Sequence, residues 1–423
     1  MALAALARTG QAEPLTPIEK ASPELQKRLS FAKTYIGMDW NLTPAYGNSE
    51  YLDSAGNRTS FKRNAFLTPA INWGGVHFWG YTDFFVSVST ANIKLGQDAV
   101  DNSMYISVFT GARAYPWQLK ENGNFRPFVG YKFVPIHYRQ SSANGSGFGI
   151  ESAVKSIGEL GLGFRGKSTY SYLSCNYLFG HDDFDFPISR TQTTHAKLAT
   201  SYLSFGLNYS YEQTRYAAKP EYQKLNAMVS PGISKGLFIG AGPSSAFSLQ
   251  ESEYNKAKHP FLKGQGSNPL FPDLAIGYHF AKPDFNIDLA YRPYYRNRLG
   301  YQFNQETFRN SIALEGYKFL FDFNGFNPYL GGGISYEDLS LKEKDAGITV
   351  RNTHASTFTP LITFGWDIRP SRKGDWLILR TNLRYAPILD MQVDGLSHDA
   401  HDMEFNFIQA VFYPQRFWAL HKM

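Results

Sequence analysis

Two short stretches of this chain combine imidazole with carboxylate: GHDDFDF, with His181, Asp182, Asp183 and Asp185, and DGLSHDAHD, with Asp394, His398, Asp399, His401 and Asp402. Carboxylates of this kind take calcium and imidazoles take zinc. Neither stretch has a strict ligand spacing, so both read as solvated loops, and no metal or other cofactor is expected. Hydrolysis needs a serine with a base in hydrogen-bond reach. His279 and Ser311 share one strand parity but no motif links them, while His77 and His137 read equally well as polar residues at a membrane interface. Cys175 is the sole cysteine, so no intramolecular disulfide forms. No catalytic residue is assigned, and the expectation is a protein that is not an enzyme.

A denser set of charges lies in NIDLAYRPYYRNR, where Asn286, Asp288, Arg292, Tyr294 and Arg296 fall on one parity of an extended segment. The segment that follows adds Arg309 and Glu315. Arg and Lys rings tune pores toward anions, so this ladder could guide anionic or hydroxyl-rich solutes. The other reading is that these arginines pair with carboxylates on neighbouring strands, an ordinary stabilising device.

The elements that carry these residues are read from alternation. In GDWLILRTNLRYAP, Leu377, Leu379, Leu383 and Tyr385 lie on one side, with Arg380, Asn382 and Arg384 on the other. One face suits hydrocarbon and the other water. About ten such residues match a tilted strand crossing a bilayer. The same pattern puts Ile36, Met38, Trp40 and Leu42 opposite Tyr35, Gly37, Asp39 and Asn41.

Composition agrees with alternation rather than with helical spans. Of 423 residues, 18% are charged and 16% aromatic, with 27 Tyr, 34 Phe and 37 Gly. No run of about 18 apolar residues exists, which excludes a helical membrane protein. The mean hydropathy of −0.34 fits a barrel, whose apolar face occupies every second position. The pI of about 9.0 does not by itself signal a nucleic-acid partner, and none is expected.

Turns near Gly74, Gly123, Gly166, Thr200, Lys235, Pro283, Asn324 and Lys373, with nine longer connections between them, predict one antiparallel transmembrane β-barrel of about eighteen strands over 33–418. If THAKLATSYLSFGLNYSYE is a single strand, the count becomes sixteen. Residues 1–12 read as a remnant of a secretory signal, and 13–32 as a periplasmic or lumenal segment in which Ser22 and Pro23 could open a short helix. Trp73, Trp79, Trp117, Trp366, Trp376 and Trp418 all fall near turns or the C-terminus, as an interfacial girdle requires.

The segments FRPFVGYKF and FNPYLGGGISY resemble the strand after a periplasmic turn in Gram-negative outer-membrane β-barrels of porin-like type. EFNFIQAVFYPQRFW is similar to their closing strand, although the terminal HKM departs from the usual final aromatic. The resemblance implies a bacterial outer-membrane location, with lipid and lipopolysaccharide as surroundings. It names no specific family.

With the apolar parity toward lipid, the lumen-lining set is expected to include Arg113, Arg126, Lys132, Asp288, Arg292, Tyr294, Arg296, Arg309, Glu315, Arg380 and Arg384. A barrel of sixteen to eighteen strands leaves a water-filled bore. The leading expectation is therefore passive diffusion of small hydrophilic solutes, anionic or sugar-like. The alternatives are a plugged structural or docking barrel in an outer-membrane complex, and a lipid-modifying enzyme betrayed by a Ser and His pair at the outer rim. Outward apolar strands serve equally against lipid and against a sister barrel, so a homo-oligomer is a further expectation.

Overall fold

A computed structural model describes residues 30–45, 47–117, 125–166, 168–180, 183–211, 236–249, 252–262, 270–369, 376–399 and 402–421. Among the described residues every strand pairing is antiparallel, and no described helix is long and apolar enough to cross a membrane. Its wall strands are β1 (Lys33–Thr43), β2 (Ala65–His77), β3 (Thr82–Ser89), β4 (Val108–Ala114), β5 (Phe125–Ser141), β6 (Phe148–Arg165), β7 (Thr169–Phe179) and β8 (Ser201–Tyr211). There follow β9 (Gly236–Ser248), β10 (Phe271–Phe280), β11 (Phe285–Gly300), β12 (Phe303–Phe319), β13 (Phe326–Asp345), β14 (Ile348–Ile368), β15 (Leu377–Tyr385) and β16 (Asp402–Phe412).

These strands close two rings of eight, and this corrects the expectation of a single closure over 33–418. β1 pairs with β2 through Met38↔Ile71 and with β8 through Met38↔Leu207, so the first ring shuts on itself. β9 pairs with β10 and with β16 in the same way, shutting the second. Within each ring every strand neighbours its successor. The period-2 pattern is identical for one wide barrel and two narrow ones; only the edge pairings decide.

Other differences have local causes. Gly74 and Gly75 lie inside β2, because a side chain at Gly74 would collide with the Tyr35 hydroxyl. The chain turns four residues later, at Phe78, Trp79 and Gly80, all with positive φ. Residues 183–187 and 193–197 form a short hairpin outside the wall, so Thr200 joins that hairpin to β8 and is not a turn between wall strands. The last strand ends at Phe412, where Pro414 opens helix α2 (Pro414–His421); proline suits a first helical position because its missing N–H would be unpaired there. The turns expected near Gly123, Lys235 and Lys373, and residues 1–29, lie outside the described residues.

Alternation sets the two faces. Leu160, Leu173, Leu203 and Phe205 on the first ring are exposed, as are Leu289, Leu314, Ile334 and Ile362 on the second. Aromatic pairs edge this apolar belt: Tyr295 with Phe308 at 4.6 Å and Tyr336 with Phe358 at 5.3 Å, where outward positions on β13 turn polar from Asp338 onward. At the other end, Phe326 packs on Trp366 at 6.1 Å, and Trp376 on Phe412 at 6.0 Å. Such a belt between aromatic girdles is the exterior of a membrane-spanning barrel.

The rings touch along a seam. Phe133 of the first meets Phe247 of the second at 5.7 Å, and Phe84 meets Trp366 at 6.3 Å. At the outer end the Tyr301 hydroxyl donates to the Pro187 carbonyl at 2.6 Å.

Candidate functional site

Inward-facing residues of an eight-stranded ring converge on a bore that side chains just fill. In the first ring Arg113 on β4 donates from Nε to Glu159 Oε2 at 2.8 Å and from Nη1 to Asp83 Oδ2 at 3.3 Å. Its guanidinium lies over Tyr172 at 3.9 Å and Phe85 at 4.1 Å. Lys132 Nζ stands 2.9 Å from Glu159 Oε1 and donates to Asn176 at 2.8 Å. The Tyr172 hydroxyl donates to Asp39 at 2.6 Å, and that of Tyr35 to Asp83 at 2.7 Å. Arg126 sits apart, at the turn end, donating to the Gly80 carbonyl at 2.6 Å and lying over Tyr115.

The second ring holds the ladder. Arg292 bridges Glu315 at 2.5 Å and Glu404 at 3.1 Å. Arg384 bridges Asp273 at 2.5 Å and Glu315 at 2.9 Å. Arg309 joins Glu337 at 2.7 Å and Glu404 at 2.8 Å. Nearer one end, Arg296 and Tyr294 share Asp402, at 3.0 and 2.8 Å; nearer the other, Arg380 grips Asp367 at 2.7 Å while the Tyr317 hydroxyl donates to Asp288 at 3.0 Å. Every member of the set read from sequence as lining a lumen is buried in one ring or the other. Arg165 is only half-buried, at the end of β6.

The outer mouths are covered. Over the first ring, Phe186, Ala196 and Leu198 of the external hairpin pack on Tyr138 and Ile136 of the bore, while Ser49 donates to Gln140 at 2.9 Å. Into the second mouth goes helix α1 (Glu253–Lys258), started by the Ser252 Oγ, which accepts from the Asn255 N–H at 3.1 Å. Asn255 and Gln305 exchange hydrogen bonds at 3.0 and 2.8 Å. Tyr254 packs with Leu339, Leu341, Leu389 and Met391. The loops thus form folded covers over both mouths.

This cap lies beyond the apolar belt, and its titrating groups are strongly biased. Burial alone would raise the Glu343 carboxyl, but donors from His259, Gln305 and Tyr254 bring it down to about 2. Burial pushes His398 down to about 3, helped by repulsion from Arg298 and Arg296. Its Nδ1 is 3.3 Å from Ser252 Oγ. Asp394, from the second His/Asp stretch, takes a bond from Arg351 at 2.6 Å. Among the described residues no cluster of His, Cys, Asp or Glu is arranged to hold a metal. His279 bonds to Asn286 at 2.7 Å and Ser311 to Glu337 at 2.9 Å, so the two do not meet each other.

The class defined by these walls is the membrane-type antiparallel β-barrel. No family model matches the chain, and no curated protein does. Among solved structures it is similar to Neisserial surface protein A, at 14% identity and TM-score 0.28, over 42% of this chain and 94% of that one. It is also similar to an outer membrane channel of Pseudomonas putida F1, at 10% identity and TM-score 0.22, over 90% and 95%. A third is OmpT, an outer membrane protein of Vibrio cholerae, at 10% identity and TM-score 0.17, over 90% and 99%. The second and third are outer-membrane proteins, and the functional reading rests on this chain's own residues.

Proposed function

We propose that this chain is a non-conducting tandem barrel of the bacterial outer membrane, in which the capped outer surface docks a partner and the walls serve as anchor. The observation that carries this reading is the buried ion-pair network inside each ring, with Arg113 on Glu159 in the first and Arg309 reaching Glu404 across the second. Passive diffusion of small hydrophilic solutes, the reading a wide barrel would favour, requires these pairs to part. Opening them would strand buried charges, at about 3–5 kcal/mol for each pair broken.

Polar outer extensions of β11 to β14 support a docking role, since they build a packed extracellular cap that membrane insertion does not need. The surroundings are lipid and lipopolysaccharide, and the partner is a further subunit of an outer-membrane complex or a second copy of the chain. The test is affinity capture of the full-length protein from native outer membranes, beside a variant in which Tyr254 and Met391 are replaced by Ala. The reading expects a stoichiometric partner that the variant loses while its walls stay folded. Recovery of the intact protein as a lone monomer contradicts it.

A further inference from the structure

On the outward face of the first ring, a histidine stands between two serines. His137 on β5 has Nδ1 2.6 Å from Ser152 Oγ on β6 and Nε2 3.0 Å from Ser107 Oγ. His137 and Ser152 are cross-strand partners in register. Ser107 occupies the break between the short strand Asn102–Ile106 and β4, fixed by its N–H donating to the Pro135 carbonyl at 3.2 Å. All three are partly exposed, whereas Ile136 and Tyr138, on either side of His137, are buried within the ring.

The trio has a definite depth. From Phe164 at the turn end of β6 to Ser152 the strand runs about 40 Å, or about 30 Å along the normal at a tilt of about 40°, which is one hydrocarbon thickness. Ser152 therefore stands at the outer interface, where ester linkages of membrane lipids lie. It also lies at the seam: the Tyr301 N–H donates to the Phe148 carbonyl at 3.0 Å on one side, and Phe133 meets Phe247 on the other.

We propose that this trio is an acyl-ester hydrolase site for membrane lipids, with Ser107 as nucleophile, His137 as base and Ser152 as positioning residue. The Ser107 proton passes to His137 Nε2 as Oγ bonds the ester carbonyl carbon, whose π pair moves to its oxygen. Collapse breaks the bond to the alcohol oxygen, which takes the proton from Nε2 and leaves an acyl-serine. Water then adds to that carbonyl and gives its proton to Nε2. The carbon–Oγ bond breaks, Ser107 regains its proton, and the fatty acid departs. Ser152 Oγ accepts from Nδ1–H, holding the tautomer in which Nε2 is the accepting nitrogen. This activity is independent of the docking reading, because a hydrolase on the outer wall leaves both bores closed.

The test uses full-length protein refolded into phosphatidylcholine vesicles, with and without lipopolysaccharide, and measures released fatty acid and fluorophosphonate labelling mapped by mass spectrometry. The expected result is release in at least one vesicle type, which identifies the source of the ester, with the label on Ser107. Ser107→Ala and His137→Ala should each lose at least about 100-fold in kcat. Ser152→Ala should lower kcat at constant KM and displace the pH profile, a change that lost folding would not produce. All variants must keep the heat-modifiable migration of a folded barrel on unboiled gels. Absence of release and label from the folded wild type overturns the proposal, as does turnover that survives Ser107→Ala.

Discussion

Arg309 on β12 and Glu404 on β16 meet at 2.8 Å across the full width of the second ring. Those strands are four places apart whichever way the ring is followed, so this pair spans the bore at its widest. The proposed closure of the second bore rests first on this contact.

The same pair predicts stability. Both side chains are almost wholly buried, and removing Glu404 takes one of two carboxylate partners from Arg309, which keeps Glu337, and from Arg292, which keeps Glu315. Glu404→Ala should destabilise the second ring by about 1–3 kcal/mol, measured by urea unfolding in vesicles. A loss below about 1 kcal/mol would mean that water reaches the site.

The link between the rings should behave differently. Arg190 donates from Nη1 to Asp345 at 2.9 Å, but both side chains are more than a third exposed. Exposed pairs contribute about 0–1 kcal/mol. A double-mutant cycle over Arg190→Ala and Asp345→Ala should give a coupling in that range, falling with added salt, with the unfolding of each ring unchanged.

Acid should loosen the cap before the walls. His398 is held at about 3 against an ordinary 6.5, so its contribution is fully present above 6.5 and is lost as pH falls toward 3. Glu343, held at about 2 against 4.5, adds stability present above 4.5 and lost as pH falls toward 2. Both slopes have the same sign. Amide protection factors over residues 252–262 and 390–399, taken relative to the intrinsic rate at each pH, should therefore fall between pH 6.5 and pH 4, while β14 stays protected; equal protection at both pH values would contradict the assignment.

The outward face should reject charge. Ile362 is 54% exposed midway between Phe358 and Trp366, so Ile362→Arg should cost about 2–4 kcal/mol of insertion into vesicles. A substitution tolerated without loss would place that face in water.

Much of this was legible in the chain. The parity of GDWLILRTNLRYAP puts Arg380, Asn382 and Arg384 on the buried side and leaves Leu377 exposed, because alternation is dictated by backbone geometry alone. Ring closure was not legible, since it depends on whether β1 pairs with β8 or with a later strand, and both offer the same apolar row. A signal did exist: inward positions occupied by Arg, Tyr and Glu instead of small residues have the volume to fill a narrow bore. Ser107, His137 and Ser152 carry no local motif, and only the register of β5 with β6 and the break before β4 bring them together.

The most direct measurement is single-channel recording of the folded full-length protein in planar bilayers, at neutral pH and high salt. Closed bores predict no unitary steps, in the wild type and equally in Ser107→Ala. Reproducible steps from a homogeneous folded preparation would contradict the account, most decisively if their size changed with Glu404→Gln.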